Sequence, residues 1–200
     1  MKLLNGMYSA IFSVYDEQFN VKKDTVNKLV DYQLTNGLKG FYVCGNTGEC
    51  KVLPVKTRKE MLETVVDANN GKGQVVAHIG AGLYNDGLDL LEHANSLNVD
   101  AVASLPPSLQ GYYNPEEVLD YYKALAEKSK VPVYAYITRD LSTDYVSFVD
   151  KLSNIDNVIG VKFSVPDYYV FGKISAKFGD KLNIINGPDE TCLCGLTLGG

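Results

Sequence analysis

Val158-Ile159-Gly160-Val161-Lys162-Phe163-Ser164 is the stretch whose reading decides the fold. Its first six residues are apolar except for one lysine, with no polar alternation, the composition of a strand covered on both faces. Strands of that kind belong to parallel sheets. The lysine carries a second message. An ammonium group is costly to bury, so burial favours the neutral amine, and a neutral amine attacks carbonyls to form a Schiff base. The alternative is a lysine whose stem is buried while its ammonium reaches water. The strand by itself leaves both readings open.

Comparable runs lie on either side, at Met7–Val14, Gly40–Cys44, Val75–Ile79, Ala101–Leu105, Val133–Ile137 and Leu182–Ile185. Between them apolar residues fall at helical spacing. Val26, Leu29 and Val30 form one such face, and Leu62, Val65 and Val66 another. Val118, Tyr122 and Leu125, then Tyr145, Phe148, Val149 and Leu152, repeat it. Asn114-Pro115-Glu116-Glu117 offers an N-cap, a first-turn proline and early carboxylates, and Thr57 is expected to open the helix that carries Leu62. Strand and helix alternate with a period of roughly 25 to 30 residues, the rhythm of a βα array.

Seven strands of this type admit two architectures. A doubly wound sheet is disfavoured because no glycine-rich dinucleotide fingerprint follows the first strand. A barrel closes with eight strands and usually needs about 250 residues. The expected fold is therefore α/β, a TIM (β/α)8 barrel truncated after its seventh βα unit. It forms one domain over residues 1–200, with the C-terminal part missing.

Composition narrows the function. The chain has 200 residues, 46% hydrophobic and 22% charged, with a net charge of −5. That supports one sizeable core, and the lack of a basic run argues against nucleic acid as a partner. Apolar stretches are strand-sized, well short of the roughly 20 residues that span a bilayer. Met1-Lys2-Leu3-Leu4-Asn5-Gly6 has no signal-peptide hydrophobic region, so a cytoplasmic protein without a membrane partner is expected. Cys44, Cys50, Cys192 and Cys194 fit no zinc spacing, and His78 and His93 are too few for a histidine-rich site, so no metal is expected.

In a βα barrel, chemistry gathers at the C-terminal ends of the strands. After the second strand comes Gly45-Asn46-Thr47-Gly48-Glu49, either an ordinary tight turn or an anion-holding loop with Asn46 and Thr47 as donors. Tyr134 and Tyr136 share one face of the fifth strand, as packing or as proton carrier. Lys162 follows on the sixth. Asn186-Gly187-Pro188-Asp189-Glu190 follows the seventh and places two carboxylates where a helix begins, as caps or as ligands for hydroxyls. Together these are the equipment for a carbonyl substrate bearing a carboxylate, handled through an imine.

In order and spacing, the 45–49 loop, Tyr136, Gly160-Val161-Lys162 and Gly187-Pro188-Asp189-Glu190 resemble the N-acetylneuraminate lyase and dihydrodipicolinate synthase superfamily. Its members are pyruvate-dependent class I aldolases. The resemblance extends from Leu4 to Gly200 and implies roles residue by residue. Lys162 would form the Schiff base and Tyr136 would relay a proton. Asn46 and Thr47 would hold the carboxylate, and Ser164 would contact the sugar acid. Gly187, Asp189 and Glu190 would bind hydroxyls of the sugar chain. Leu141 stands five residues beyond Tyr136, where synthases that handle a dicarboxylate place an arginine, which favours a neutral polyol tail.

The implied reaction is retro-aldol cleavage of a sialic acid such as N-acetylneuraminate to pyruvate and N-acetylmannosamine, without metal or organic cofactor. The resemblance also implies a homotetrameric parent. Another pyruvate-dependent aldolase, acting on a 2-keto-3-deoxy sugar acid or making dihydrodipicolinate, is the alternative, as is a non-catalytic relative or inactive fragment. Three local departures from the family pattern stand out. Asn46 replaces a usual serine, Ile137-Thr138-Arg139 replaces Asn-x-Pro, and Ser108-Leu109-Gln110 replaces a tyrosine pair, with Tyr112 and Tyr113 as possible stand-ins.

Overall fold

The structure, a computed structural model, describes residues 4–107, 114–141 and 143–200. Ser108, Leu109, Gln110, Tyr112 and Tyr113 lie outside the described residues. The chain divides into two compact units, residues 1–103 and 104–200.

The first unit alternates strand and helix as the apolar runs require: β1 (Tyr8–Ala10), α1 (Lys23–Thr35), β2 (Gly40–Val43), α2 (Val55–Asn69), β3 (Gln74–His78), α3 (Tyr84–Asn95) and β4 (Ala101–Ser104), whose last residue, Ser104, already belongs to the second unit. Each strand pairs in parallel with the next, in registers that include Tyr8↔Gly40, Gly40↔Gln74 and Val76↔Ala101. Every residue of β2, β3 and β4 is buried, which is why these segments read as continuous apolar runs.

Two expectations need correction in this unit. The first strand ends at Ala10 rather than Val14. Beyond it Ile11 is buried, Ser13 donates its hydroxyl to Gly48 O at 2.8 Å, and Tyr15 makes an isolated antiparallel bridge to Val21. An apolar run reports burial, and here burial continues after strand pairing has stopped. Thr57 does not open α2, which starts at Val55. Its buried hydroxyl instead donates to Phe19 O at 2.8 Å.

The second unit contains α4 (Pro115–Lys128), β5 (Val133–Ile137), α5 (Tyr145–Leu152), β6 (Val158–Phe163), α6 (Tyr168–Phe178) and β7 (Asn183–Asn186). A single 3-10 turn (Asp189–Thr191) and α7 (Cys192–Thr197) follow. β6 pairs in parallel with β5 on one side and β7 on the other. Asn114 Oδ1 accepts the Glu116 N–H at 3.0 Å with Pro115 behind it, the start anticipated for α4.

Alternation sorts the residues of β5 to β7 onto two faces. Ala135, Ile137, Val161, Phe163 and Ile184 join Tyr122, Phe148, Leu152, Phe171 and Ile174 in one buried apolar cluster. Each large side chain buried there contributes about 1.5–3 kcal/mol. The opposite face is built in layers. Tyr134, Gly160 and Asn183 share the lowest register, and Tyr136, Lys162 and Ile185 the next.

The lowest layer is a brace. Tyr134 lies over Gly160 and donates its hydroxyl to Asn183 Oδ1 at 2.8 Å. A Cβ on Gly160 would stand 2.4 Å from both Asn183 O and Tyr134 Cε1. The first unit repeats the device across β1, β2 and β3. There Tyr8 lies over Gly40 and donates to Gln74 Oε1, and a Cβ on Gly40 would stand 2.3 Å from Gln74 O and 2.4 Å from Tyr8 Cε1. In both, glycine is the residue that lets a tyrosine ring lie flat against the neighbouring strand.

Candidate active site

Lys162 occupies the fifth position of β6, the one residue of that strand that is only half buried. Its Nζ sits 3.9 Å from the centroid of the Tyr136 ring, directly across the β5–β6 register. The ring face carries negative potential, so it stabilises a cation at that point, whether ammonium or an iminium formed from it. Tyr136 itself is 6% exposed. The two tyrosines of β5 thereby separate in role: Tyr134 is committed to Asn183, and Tyr136 lies against the amine.

Above this layer the chain brings Ser164 and Gly187 together. Ser164 N–H donates to Ile137 O at 2.8 Å and Gly187 N–H to Phe163 O at 2.9 Å, extending the pairing past the strand ends. A Cβ on Gly187 would lie 1.7 Å from Ser164 Oγ, so glycine is required for this approach. Ser164 and Gly187 are half buried, whereas Asp189 and Glu190 are exposed in the 3-10 turn. Their reading as helix caps fails, since neither the turn nor α7 has a side-chain cap bond. Tyr168, at the start of α6, bonds both Asn186 Oδ1, at 3.1 Å, and Thr191 Oγ1, while Asn186 Nδ2 donates to Pro188 O at 2.7 Å. This network ties down both ends of the acidic turn.

Leu141 is 3% exposed and belongs to the apolar cluster with Phe148 and Phe163. It offers no group to a second carboxylate. Arg139, two residues earlier, is exposed.

In the first unit, β2 gives way to the 45–49 loop at Cys44, whose φ is +55°. Gly45 and Gly48 are needed for packing here. A Cβ on Gly45 would lie 2.6 Å from the Tyr42 ring, and one on Gly48 would lie 2.9 Å from Cys44 Cα. Asn46 and Thr47 are exposed at the tip, and Asn46 Oδ1 accepts from Cys50 Sγ at 3.5 Å. Below the loop stands Arg58, only 2% exposed, which donates to His78 O at 2.7 Å and Gly80 O at 2.9 Å. His78 Nδ1 lies 3.0 Å from Cys44 O and must carry a proton there, because a carbonyl only accepts. A buried guanidinium thus fixes the end of β3, and β3 fixes the base of the loop.

Burial pushes the Cys44 thiol up to about 11, with the Arg58 charge and the Ser13 hydroxyl opposing in part. The folded state keeps this proton where the unfolded thiol, near its ordinary 9.0, loses it. The resulting stabilisation is complete below about pH 9 and disappears as pH rises toward about 11, a decline of roughly 2–3 kcal/mol. Urea unfolding across that window is expected to show the slope, and Cys44→Ala to flatten it. Among the described residues, no group of three His, Cys, Asp or Glu side chains is placed to hold a metal ion. No helix among them is long and apolar enough to cross a membrane.

Three contributors escape sequence reasoning. Arg58 and Tyr168 sit on helices whose pattern gives no sign of buried polar bonds, and Tyr122 reads as an apolar-face residue. A signal does exist for Tyr122, since a phenol placed on a core face needs a partner for its hydroxyl.

Residues 3–200 match the dihydrodipicolinate synthetase family. The N-acetylneuraminate lyase of Rhizobium meliloti (strain 1021) is 31% identical over 198 residues, which cover 98% of this chain and 65% of that protein. That of Mediterraneibacter gnavus is 33% identical over 208 residues, covering 97% and 62%. Among solved structures, Proteus mirabilis N-acetylneuraminate lyase superposes with a TM-score of 0.90 at 28% identity, over 98% of this chain and 68% of that one. The Aliivibrio salmonicida enzyme gives 0.91 at 27%, over 100% and 68%. The chain thus spans 65% and 62% of the two curated relatives' lengths. On the match across residues 3–200, it belongs to the dihydrodipicolinate synthetase family.

Proposed function

We propose that these βα units are part of a single (β/α)8 barrel domain, and that the protein is a Schiff-base lyase. Its substrate in this reading is a sialic acid such as N-acetylneuraminate, cleaved to pyruvate and N-acetylmannosamine. The observation that carries the reading is Lys162 Nζ held 3.9 Å from the Tyr136 ring centroid. In this reading a nucleophile stands beside a proton carrier and over a ring face that stabilises an iminium.

In this mechanism the Lys162 amine adds to the keto carbon, and loss of water gives the iminium. Tyr136 relays the proton of the hydroxyl on C4, its phenol passing its own proton to the substrate carboxylate as it takes this one. The C3–C4 bond breaks, its electron pair moves toward the iminium to give an enamine, and the aldehyde leaves. Protonation of the enamine carbon and addition of water release pyruvate and restore the amine. Asn46 and Thr47 are assigned the carboxylate. Ser164, Gly187, Asp189 and Glu190 are assigned the hydroxyl-bearing tail. The core position of Leu141 supports a neutral tail over a second carboxylate.

A panel of 2-keto sugar acids, assayed for pyruvate release by the full-length protein, tests the substrate. Release is expected to be fastest from sialic acids. Faster release from a 2-keto-3-deoxy sugar acid without the N-acetyl group would move the assignment to that class.

Gly187→Ala gives a sharper local test. The new methyl must displace the Ser164 hydroxyl, so KM for the sugar acid is expected to rise about tenfold, a loss of about 1.4 kcal/mol. Reductive trapping of pyruvate should remain. An unchanged KM would remove Ser164 and Gly187 from the binding site.

A further inference from the structure

The hydroxyl of Tyr122 lies where three backbone polar groups converge. Tyr122 projects from α4 into the apolar cluster and is 1% exposed. Its oxygen is 2.8 Å from Ser104 O, 3.2 Å from Tyr136 O and 3.1 Å from Tyr136 N. The Tyr136 N–H can only donate, so the phenol oxygen accepts there. Its single proton then turns to the two carbonyls, with Ser104 the nearer.

The placement within β5 matters. Ile137 O accepts from Ser164 N–H on the β6 side, so the polar groups of Tyr136, one residue earlier, point to the opposite edge. There a side chain from a helix meets both of them. Packing alone needs only the aromatic ring, since the cluster around it is apolar. The hydroxyl is what reaches the backbone of the residue whose own ring lies against Lys162 Nζ.

We propose that Tyr122 is a positioning residue for Tyr136. Its hydroxyl pins the main chain at residue 136 and so sets where the Tyr136 phenol stands relative to the Lys162 amine. This rests on the reading of Lys162 as imine former and Tyr136 as proton carrier. Misplacement of a catalytic group by about 1 Å can lower a rate on the order of a hundredfold. Tyr121, the adjacent phenol, supplies a control: its hydroxyl bonds the Ser104 hydroxyl at 2.6 Å.

The test uses the full-length protein with Tyr122→Phe, Tyr136→Phe, the double variant and Tyr121→Phe. Tyr122→Phe is expected to lower kcat for sugar-acid cleavage by roughly 10- to 100-fold, with KM changed less than about threefold. Lys162 should still be trapped by pyruvate and borohydride, and the Tyr136 amide should exchange with solvent faster. In the Tyr136→Phe background the same change should alter kcat less than about twofold, because the contact then has no phenol to place. Tyr121→Phe should stay within about twofold of the unaltered protein.

Unchanged kcat in Tyr122→Phe overturns the positioning role. A full multiplicative loss in the double variant, or loss of the adduct together with kcat, shows a general structural role and overturns it as well. If Tyr122→Phe does not fold, 3-fluorotyrosine at position 122 keeps the hydroxyl while weakening it as an acceptor. An intermediate kcat then supports the proposal, and an unchanged kcat overturns it. Absence of the adduct in the unaltered protein overturns the lyase reading itself, and with it the catalytic purpose of the contact.

Discussion

Lys162→Ala is expected to abolish the borohydride-trapped pyruvate adduct and to lower pyruvate release by about 10^4-fold or more. The size follows from the chemistry. Without an amine there is no iminium, and the carbanion left by C–C cleavage has no electron sink. Stability should hardly move, because the half-buried ammonium over the Tyr136 ring contributes only about 0.5–1 kcal/mol. Loss of activity with the fold intact therefore separates chemistry from structure. Lys162→Arg sharpens the point, since it keeps a cation for the ring but not a nucleophile. It should be as inactive as the alanine variant. Mass mapping decides the matter: an adduct that persists in Lys162→Ala means that another amine does the work.

Gly160→Ala should be severely damaging to stability, with an expected loss above about 3 kcal/mol. The added Cβ meets Asn183 O and Tyr134 Cε1, each at 2.4 Å. The first is backbone of the neighbouring strand and cannot turn away. The second is the ring that closes the brace with Asn183. Tyr134→Ala in the same chain relieves only the ring, so it should restore a minor part of the loss. Gly40→Ala should behave alike, since its Cβ meets Gln74 O at 2.3 Å. Urea midpoints measured for each variant test this, and a shift worth less than about 1 kcal/mol for Gly160→Ala would contradict the brace.

Much of this was legible in the sequence because burial on both faces leaves a plain signature. Val133–Ile137 and Val158–Phe163 coincide with β5 and β6 end to end. The first strand is shorter than its apolar run because Ile11 stays buried after pairing ends, and apolarity cannot distinguish a ladder from a buried loop. Lys162 was legible as a charge out of place, and the structure sets Tyr136 beside it. What sequence cannot supply is the other end of a hydrogen bond. Nothing local to Tyr122 names residue 136 as its partner, and nothing in the glycines at 45 and 48 tells a loop built for close packing from one built for anions. Arg58 is the extreme case, a charge on a helix whose partners are two carbonyls at the end of a strand.

The paired braces carry a consequence for how the chain is made. Each closes within its own unit, Tyr8 on Gln74 and Tyr134 on Asn183. A chain leaving the ribosome N-terminus first can latch the first brace before any part of the second has been synthesised. Biogenesis can then proceed as two successive local closures, each over a span short enough to keep the loop-closure entropy modest. A lesion at Gly40 would therefore strike the earlier of the two closures, and one at Gly160 the later.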